Sequence, residues 1–414
     1  MEARLTAPDV FVLGGAQTDF ARNWTATGGS LFELLSDAVL GALDATGVAA
    51  TDIDVAHVGN LAAELFCGQA QLGGMVATID PAFAELPTAR HEAACASGSV
   101  ATLAAMADLQ AGNYDCALVV GVELMRNVDG QTAAEHLGSA AWVGREATDA
   151  TFPWPYLFSE IADVYGDRYG LDYPHLARIA ELNFDNATRN PNAQSRDWRF
   201  GTDSFTEDDE LNPVIEGRLR KQDCGRITDG AAAVVLASPR FAAEHARRRG
   251  RSLDDFAVIK GWGHRTAPML LADKLHRSAA SAYVFPHLRR AITEAYARAG
   301  ISGPDDLDAI ETHDCFTITE YAAIDHFGIT DPGESWKAIE EGTIDPKGRL
   351  PVNPSGGLIG LGHPVGATGV RMLLDATKQV TDTAGDYQVP DAHTVATLNI
   401  GGSCTTVVSF IVGR

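Results

Sequence analysis

Basic residues are scarce: 32 Lys and Arg stand against 55 Asp and Glu, a formal charge of −23 over 414 residues. That excess argues against a nucleic-acid partner and against an anionic membrane surface. An anionic small ligand stays open, because a local basic patch overrides the global sign. Long apolar runs are missing too, so no membrane insertion is expected. The opening residues Met1 to Asp9 carry no apolar core of a signal peptide, and the cytosol is the expected compartment. The six cysteines, at 67, 95, 116, 224, 315 and 404, are spread along the chain with neither a C-x-x-C pair nor disulfide-like clustering. A zinc ribbon and a thioredoxin motif are thereby disfavoured, and no metal site is expected. The serine-hydrolase elbow G-x-S-x-G is absent around Ser97-Gly98-Ser99. A dinucleotide loop is a poor match everywhere: Gly14-Gly15 has no third glycine at the needed spacing.

Glycine, by contrast, is plentiful at 41 residues, much of it in pairs such as Gly356-Gly357 and Gly401-Gly402. Such pairs read as tight turns and close backbone approach. Buried strands are expected near Asp9–Gly15, Cys116–Glu123, Ala231–Ala237, Leu307–His313, Thr394–Ile400 and Thr405–Ile411. Helices are expected over about 31–45, 100–111, 286–299 and 317–327, and from Gly362 to about Val380. The two halves of the chain rhyme, each placing a reactive-looking residue just ahead of a small-residue helix. We expect a duplicated α/β fold: two mixed-sheet halves, residues 1–255 and 256–414, with buried helices between them. Residues 125–230, rich in Trp, Pro and charge, read as an inserted loop subdomain covering the substrate.

Cys95 stands in His91-Glu-Ala-Ala-Cys95-Ala-Ser97-Gly98, at the start of one such helix. Unpaired N–H groups and the helix dipole there favour thiolate, the nucleophilic form. A buried cysteine packing as a small hydrophobe is the plainer alternative. Three downstream segments are candidates to meet it. Thr312-His313-Asp314-Cys315-Phe316 lies at a strand's C-terminal end, where ligand groups gather in α/β sheets. Gly362-His363-Pro364 sits in a run dense with glycine. Asn399-Ile400-Gly401-Gly402 joins two strands, and its amides can aim at an oxyanion or merely form a hairpin turn. A thiol, two histidines, a second thiol and an oxyanion candidate are the parts for covalent acyl transfer. Of the basic clusters, Arg247-Arg248-Arg249 ends a helix, where cations suit the dipole, whereas Arg218, Arg220 and Lys221 are candidate phosphate contacts.

These motifs resemble those of the thiolases. His91 to Gly98 looks like the family's nucleophile loop, Gly362-His363-Pro364 like its G-H-P loop. His313-Asp314-Cys315-Phe316 resembles the H-D-C-F loop of sterol-carrier-linked thiolases rather than N-E-A-F. Where other thiolases place an acid/base cysteine in C-x-G, this chain has Asn399-Ile400-Gly401. The resemblance implies thiolysis of a 3-oxoacyl-CoA, or the reverse condensation, with coenzyme A as co-substrate and no covalently bound cofactor. It implies Cys95 as nucleophile, His363 as its base and later that of the CoA thiol, and Cys315 as the acid/base thiol. His313 would bond the thioester oxygen, the amides of Cys95 and Gly401 the oxyanion, and Cys404 would be a bystander. A homodimer and a lipid-transfer or OB-fold partner protein are implied as well. The alternatives are a decarboxylating condensing enzyme and a non-catalytic CoA-binding subunit.

Overall fold

The computed structural model describes residues 8–414; the first seven residues, and with them most of the leader reading, lie outside it. Among the described residues there are eleven strands: β1 (Val10–Gln17), β2 (Val55–Gly59), β3 (Thr88–His91), β4 (Cys116–Glu123), β5 (Val214–Glu216), β6 (Leu219–Arg220), β7 (Gly230–Ala237), β8 (Ala257–Thr266), β9 (Ala309–Thr312), β10 (Thr394–Gly401) and β11 (Thr406–Gly413). The helices that matter here are α1 (Leu31–Thr46), α2 (Ser97–Gln110), α3 (Pro153–Tyr169), α4 (Tyr173–Ala187), α5 (Pro286–Ala299), α6 (Thr317–Phe327) and α7 (Thr368–Val380).

Nine strands form one sheet in the order β3-β2-β4-β7-β1-β8-β11-β10-β9. Read outward from the β1–β8 junction, the two halves repeat. In each, a long strand pairs antiparallel with its neighbour, that neighbour pairs antiparallel with a third, and the third pairs parallel with a fourth. In the first half β3 adds a further parallel strand; in the second, a single parallel bridge from Ile310 to Val352 stands in its place. Cys95 follows β3 and His363 follows Val352, so the rhyme between the halves is a spatial one. The halves are hydrogen-bonded into one sheet by Val10–Val12 against Ala257–Ile259.

Alternation along the strands builds the layers. Ala117 and Val119 of β4, Val234 and Leu236 of β7, and Val408, Phe410 and Val412 of β11 enter a central core with Ala101 and Ala105 of α2 and Val370 and Leu373 of α7. Leu118, Val120 and Val122 of β4 point the other way, onto Leu34, Leu35 and Val39 of α1. Val407 and Ile411 face outward onto Leu288 and Ile292 of α5. The duplication places α2 and α7 together between the halves, as buried helices. Close approach there needs glycine: a Cβ on Gly98 would sit 2.7 Å from the Gly366 carbonyl oxygen, and one on Gly369 2.4 Å from the Ser99 nitrogen.

Residues 125–229 stand outside the nine-stranded sheet, which Gly230 enters as the first residue of β7, and they alternate helices with long irregular segments such as 188–213. They hold α3, α4 and the small β5–β6 hairpin, with Tyr165 of α3 packed into the outer core of the second half. Among the described residues no helix is long and apolar enough to cross a membrane.

Candidate active site

The loops at the C-terminal ends of β3, β9 and β10 converge with the loop that follows Val352. Ala94 adopts φ 51°, a left-handed turn that presents the next residue, Cys95. The Ser97 hydroxyl fastens this turn, accepting from the Ala93 amide at 2.9 Å and donating to the Ala94 carbonyl at 2.6 Å. Gly401 closes against it from β10, where a Cβ would lie 2.2 Å from the Ala93 carbonyl oxygen. The β10–β11 turn is therefore both a hairpin and a wall of the site.

One donor atom each from Cys95, His313 and His363 lies within 4.8 Å of the others. The two imidazoles stand perpendicular, their centroids 5.2 Å apart. His363 Nδ1 lies 2.7 Å from Thr368 Oγ1. That hydroxyl spends its own proton on the Pro364 carbonyl at 3.1 Å, so it accepts from Nδ1–H. Nε2 of His363 is then left with a lone pair, as a base requires. The helix does not begin at Pro364; a 3₁₀ turn over Val365–Ala367 intervenes, and α7 starts at Thr368.

Burial pushes the Cys95 thiol up to about 12, despite hydrogen bonds from the Gly402 amide and its own, with Glu123 and Glu92 adding to the rise. This corrects the expectation of a resting thiolate. The displacement from 9.0 corresponds to ~4 kcal/mol against the thiolate, more than the ~0.3–2 kcal/mol a helix terminus supplies. Burial, and then Arg371, holds His363 down at about 3. Burial and the neighbouring His363 hold His313 well below its ordinary value. The resting trio is neutral.

Cys95, Cys315 and His363 border a cavity of about 230 Å³ that is otherwise lined mainly by apolar groups, among them Leu61, Met125, Trp154, Phe158 and Phe316. Phe158 of the inserted subdomain stacks on Phe316 with centroids 4.6 Å apart. The Cys315 thiol is held well above its ordinary range by burial, by Cys95 and by Asp314. His313, 1% exposed, lies deeper than the cavity wall. The H-D-C-F loop is tied to the glycine-rich loop through Asp314, which accepts from the amides of Leu358 at 2.5 Å and Ile359 at 3.1 Å.

The structure does not bring the basic cluster to this cavity. Arg218 pairs with Asp163, Arg220 with Asp209 at 2.7 Å, and both border a separate groove beside Tyr173; Lys221 is exposed. The basic group at the cavity is Arg226. Cys404 is buried at φ 62° and does not line the cavity.

Some supporting residues have no sequence signal beyond polarity. Glu123 sits buried at the end of β4, accepting from the amides of Leu61, Ala62 and Gly366 at 2.9, 3.1 and 3.1 Å. Lys274 underlies the Gly402 turn, donating to Ser403 Oγ at 2.9 Å and Thr405 Oγ1 at 2.8 Å. Asn399 lies 3.2 Å from His313, at the position where the sequence showed only a missing cysteine.

Residues 10–240 match the family described as Thiolase, N-terminal domain, and residues 271–414 match Thiolase C-terminal domain-like. An acetyl-CoA acetyltransferase of Methanothermobacter thermautotrophicus is 33% identical over 407 residues, spanning 98% of this chain and 100% of the relative. Human sterol carrier protein 2 is 26% identical, spanning 97% of this chain and 71% of that protein. Among solved structures, the Ltp2-ChsH2(DUF35) aldolase superposes with a TM-score of 0.79 at 21% identity, covering 99% of both chains. Human mitochondrial 3-ketoacyl-CoA thiolase gives 0.69 at 17% identity, covering 99% of this chain and 100% of that one.

Proposed function

The chain belongs to the thiolase family of acyltransferases, and on that premise we propose that it is a CoA-dependent thiolase that cleaves 3-oxoacyl-CoA through an acyl-Cys95 intermediate. The observation that carries this reading is the meeting of Cys95, His313 and His363 within 4.8 Å, beside a cavity that Cys315 also lines.

Because the resting pair is neutral, Cys95 transfers its proton to His363 Nε2 as its sulfur attacks the 3-oxo carbon. The amides of Cys95 and Gly401 receive the oxyanion. The C2–C3 bond breaks, its electron pair forms the enolate of acetyl-CoA, and Cys315 protonates that carbon. His313 lowers the cost of the enolate by donating to the thioester oxygen. The proton on His363 restores the Cys315 thiol, and the freed base takes the proton of the incoming CoA. The CoA sulfur displaces Cys95, which recovers that proton, leaving an acyl-CoA shortened by two carbons. Condensation is the same path reversed.

The apolar cavity suits an acyl chain. A partner protein of the DUF35 kind is supported by the likeness to the Ltp2-ChsH2 assembly, and a homodimer is part of the same proposal. Arg218, Arg220 and Lys221 remain phosphate contacts only if CoA reaches the groove beside Tyr173.

The test is incubation with acetoacetyl-CoA and CoA, following loss of the enolate absorbance, with intact mass reporting acylation. Cys315→Ala is expected to abolish thiolysis while Cys95 still takes an acyl group. Full thiolysis in that variant would overturn the role of Cys315. A decarboxylating condensing enzyme needs no second thiol and would be indifferent to the change. Absence of both turnover and acylation with simple 3-oxoacyl-CoAs would favour a CoA-binding subunit instead.

A further inference from the structure

Two histidines meet beside Cys95, yet the proposed reaction asks opposite things of them: one must take a proton, the other must offer one. Thr368 fixes the first. Resting on the thiolase reading, we propose that Asn399 is the positioning residue that fixes the second, holding His313 with its proton on Nε2 so that a donor faces the substrate's thioester oxygen.

The argument is one of hydrogen-bond inventory. Asn399 Nδ2 lies 3.2 Å from His313 Nδ1. An amide nitrogen only donates, so Nδ1 accepts and the neutral ring carries its proton on Nε2. The other end of the amide is set by Ser99, whose hydroxyl donates to Asn399 Oδ1 at 2.8 Å. Little room is left around that pair. A Cβ on Gly369 of α7 would stand 2.3 Å from Ser99 Oγ and 2.5 Å from Asn399 Oδ1. The backbone of Asn399 is held in register opposite Val408. Asn399 is 1% exposed and His313 1%, so both contacts are shielded from bulk solvent. The chain thus runs from α2 of one half, through β10, to the end of β9 in the other. Asparagine at this place, where a C-x-G loop has cysteine, gives a function to the departure from that pattern: the thiol moves to Cys315, and an amide takes the vacated position.

Asn399→Asp is the direct test. A carboxylate only accepts, so it calls for a proton on Nδ1 and strips or alters the donor at Nε2. We expect exchange of the acetyl-CoA methyl hydrogens for solvent deuterium to fall ~10²–10³-fold, carried by kcat with KM little changed. Acylation of Cys95 by an acyl-CoA, read by intact mass, should stay near the wild-type rate. In ¹⁵N-histidine spectra the His313 ring should read as Nε2–H in the wild type and change in Asn399→Asp. Ser99→Ala, which frees the amide to turn, should produce a smaller loss of exchange in the same direction. Wild-type-like exchange in Asn399→Asp, or an Nδ1–H ring for His313 in the wild type, would overturn the proposal. A wild type that neither acylates nor exchanges would fail the thiolase reading instead, while the ring spectrum still decides the role of Asn399.

Discussion

At the scale of single residues, Cys95 illustrates how burial and local geometry oppose each other. The turn at Ala94, φ 51°, and two amide hydrogen bonds favour a thiolate. Removal from water outweighs them and sets the thiol at about 12, while His363 rests at about 3. Between those values the pair stays neutral, and the nucleophile exists only as the proton moves. Alkylation of Cys95 by iodoacetamide, which reports thiolate, is therefore expected to rise ~tenfold per pH unit from about pH 6 to about pH 9 without levelling. Peptide mass analysis separates Cys95 from the other thiols; a plateau near neutrality would mean a standing ion pair. Cys95, His313, Cys315 and His363 were legible as a set in the sequence, because each lies in a short motif of unusual composition. Their protonation was not legible, since it depends on which groups surround them in space. Thr368 and, in the proposal above, Asn399 decide which nitrogen of each ring carries the proton; Thr368 does not stand out in the sequence, and Asn399 does so only as the residue in a cysteine's place.

At the scale of elements, the site rests on the contact between α2 and α7. The sequence pointed to small-residue helices following Cys95 and His363, and their packing together explains the composition. Gly366, in the turn ahead of α7, is closed in by backbone on three sides: a Cβ there would lie 2.7 Å from the Asn60 Cα, the Gly59 carbonyl oxygen and the Val122 carbonyl oxygen. Backbone does not yield as a side-chain tip does. Gly366→Ala is expected to cost ~1–3 kcal/mol, as overpacking of a core does, visible as a lower urea midpoint. Gly130→Ala, with nothing within 4 Å of the added carbon, should leave the midpoint unchanged or slightly higher. The same crowding holds at Gly401, which the sequence offered as an oxyanion-holding amide or a hairpin turn. The inserted subdomain was the least legible element. Its Pro153 and Tyr173 starts are ordinary helix entries, and its packing of Phe158 onto Phe316 follows only from the fold.

At the scale of the whole molecule, the central core belongs to neither half. Val119 and Leu236 of the first half share it with Phe410 and Val412 of the second. Opening either half alone would expose that apolar face to water, so the halves should unfold as one unit. Hydrogen exchange of β4 and β11 under mild denaturant is expected to report the same opening free energy. Separate values would mean two independent domains. What the sequence by itself determined is the inventory and its order: a thiol before a small-residue helix, an imidazole in the matching place of the second half, a thiol in the H-D-C-F loop, and an asparagine where other thiolases have cysteine. Those are local facts, carried by neighbours along the chain. The tertiary structure alone decided how they act. It drew Arg218 and Arg220 away to carboxylates of their own, buried the nucleophile deeply enough to keep its proton, and set an amide and a hydroxyl behind two histidines. Ser99 and Asn399, 300 positions apart, come within hydrogen-bonding distance only because the two halves pack together, whereas Thr368 reaches His363 across five positions of the chain.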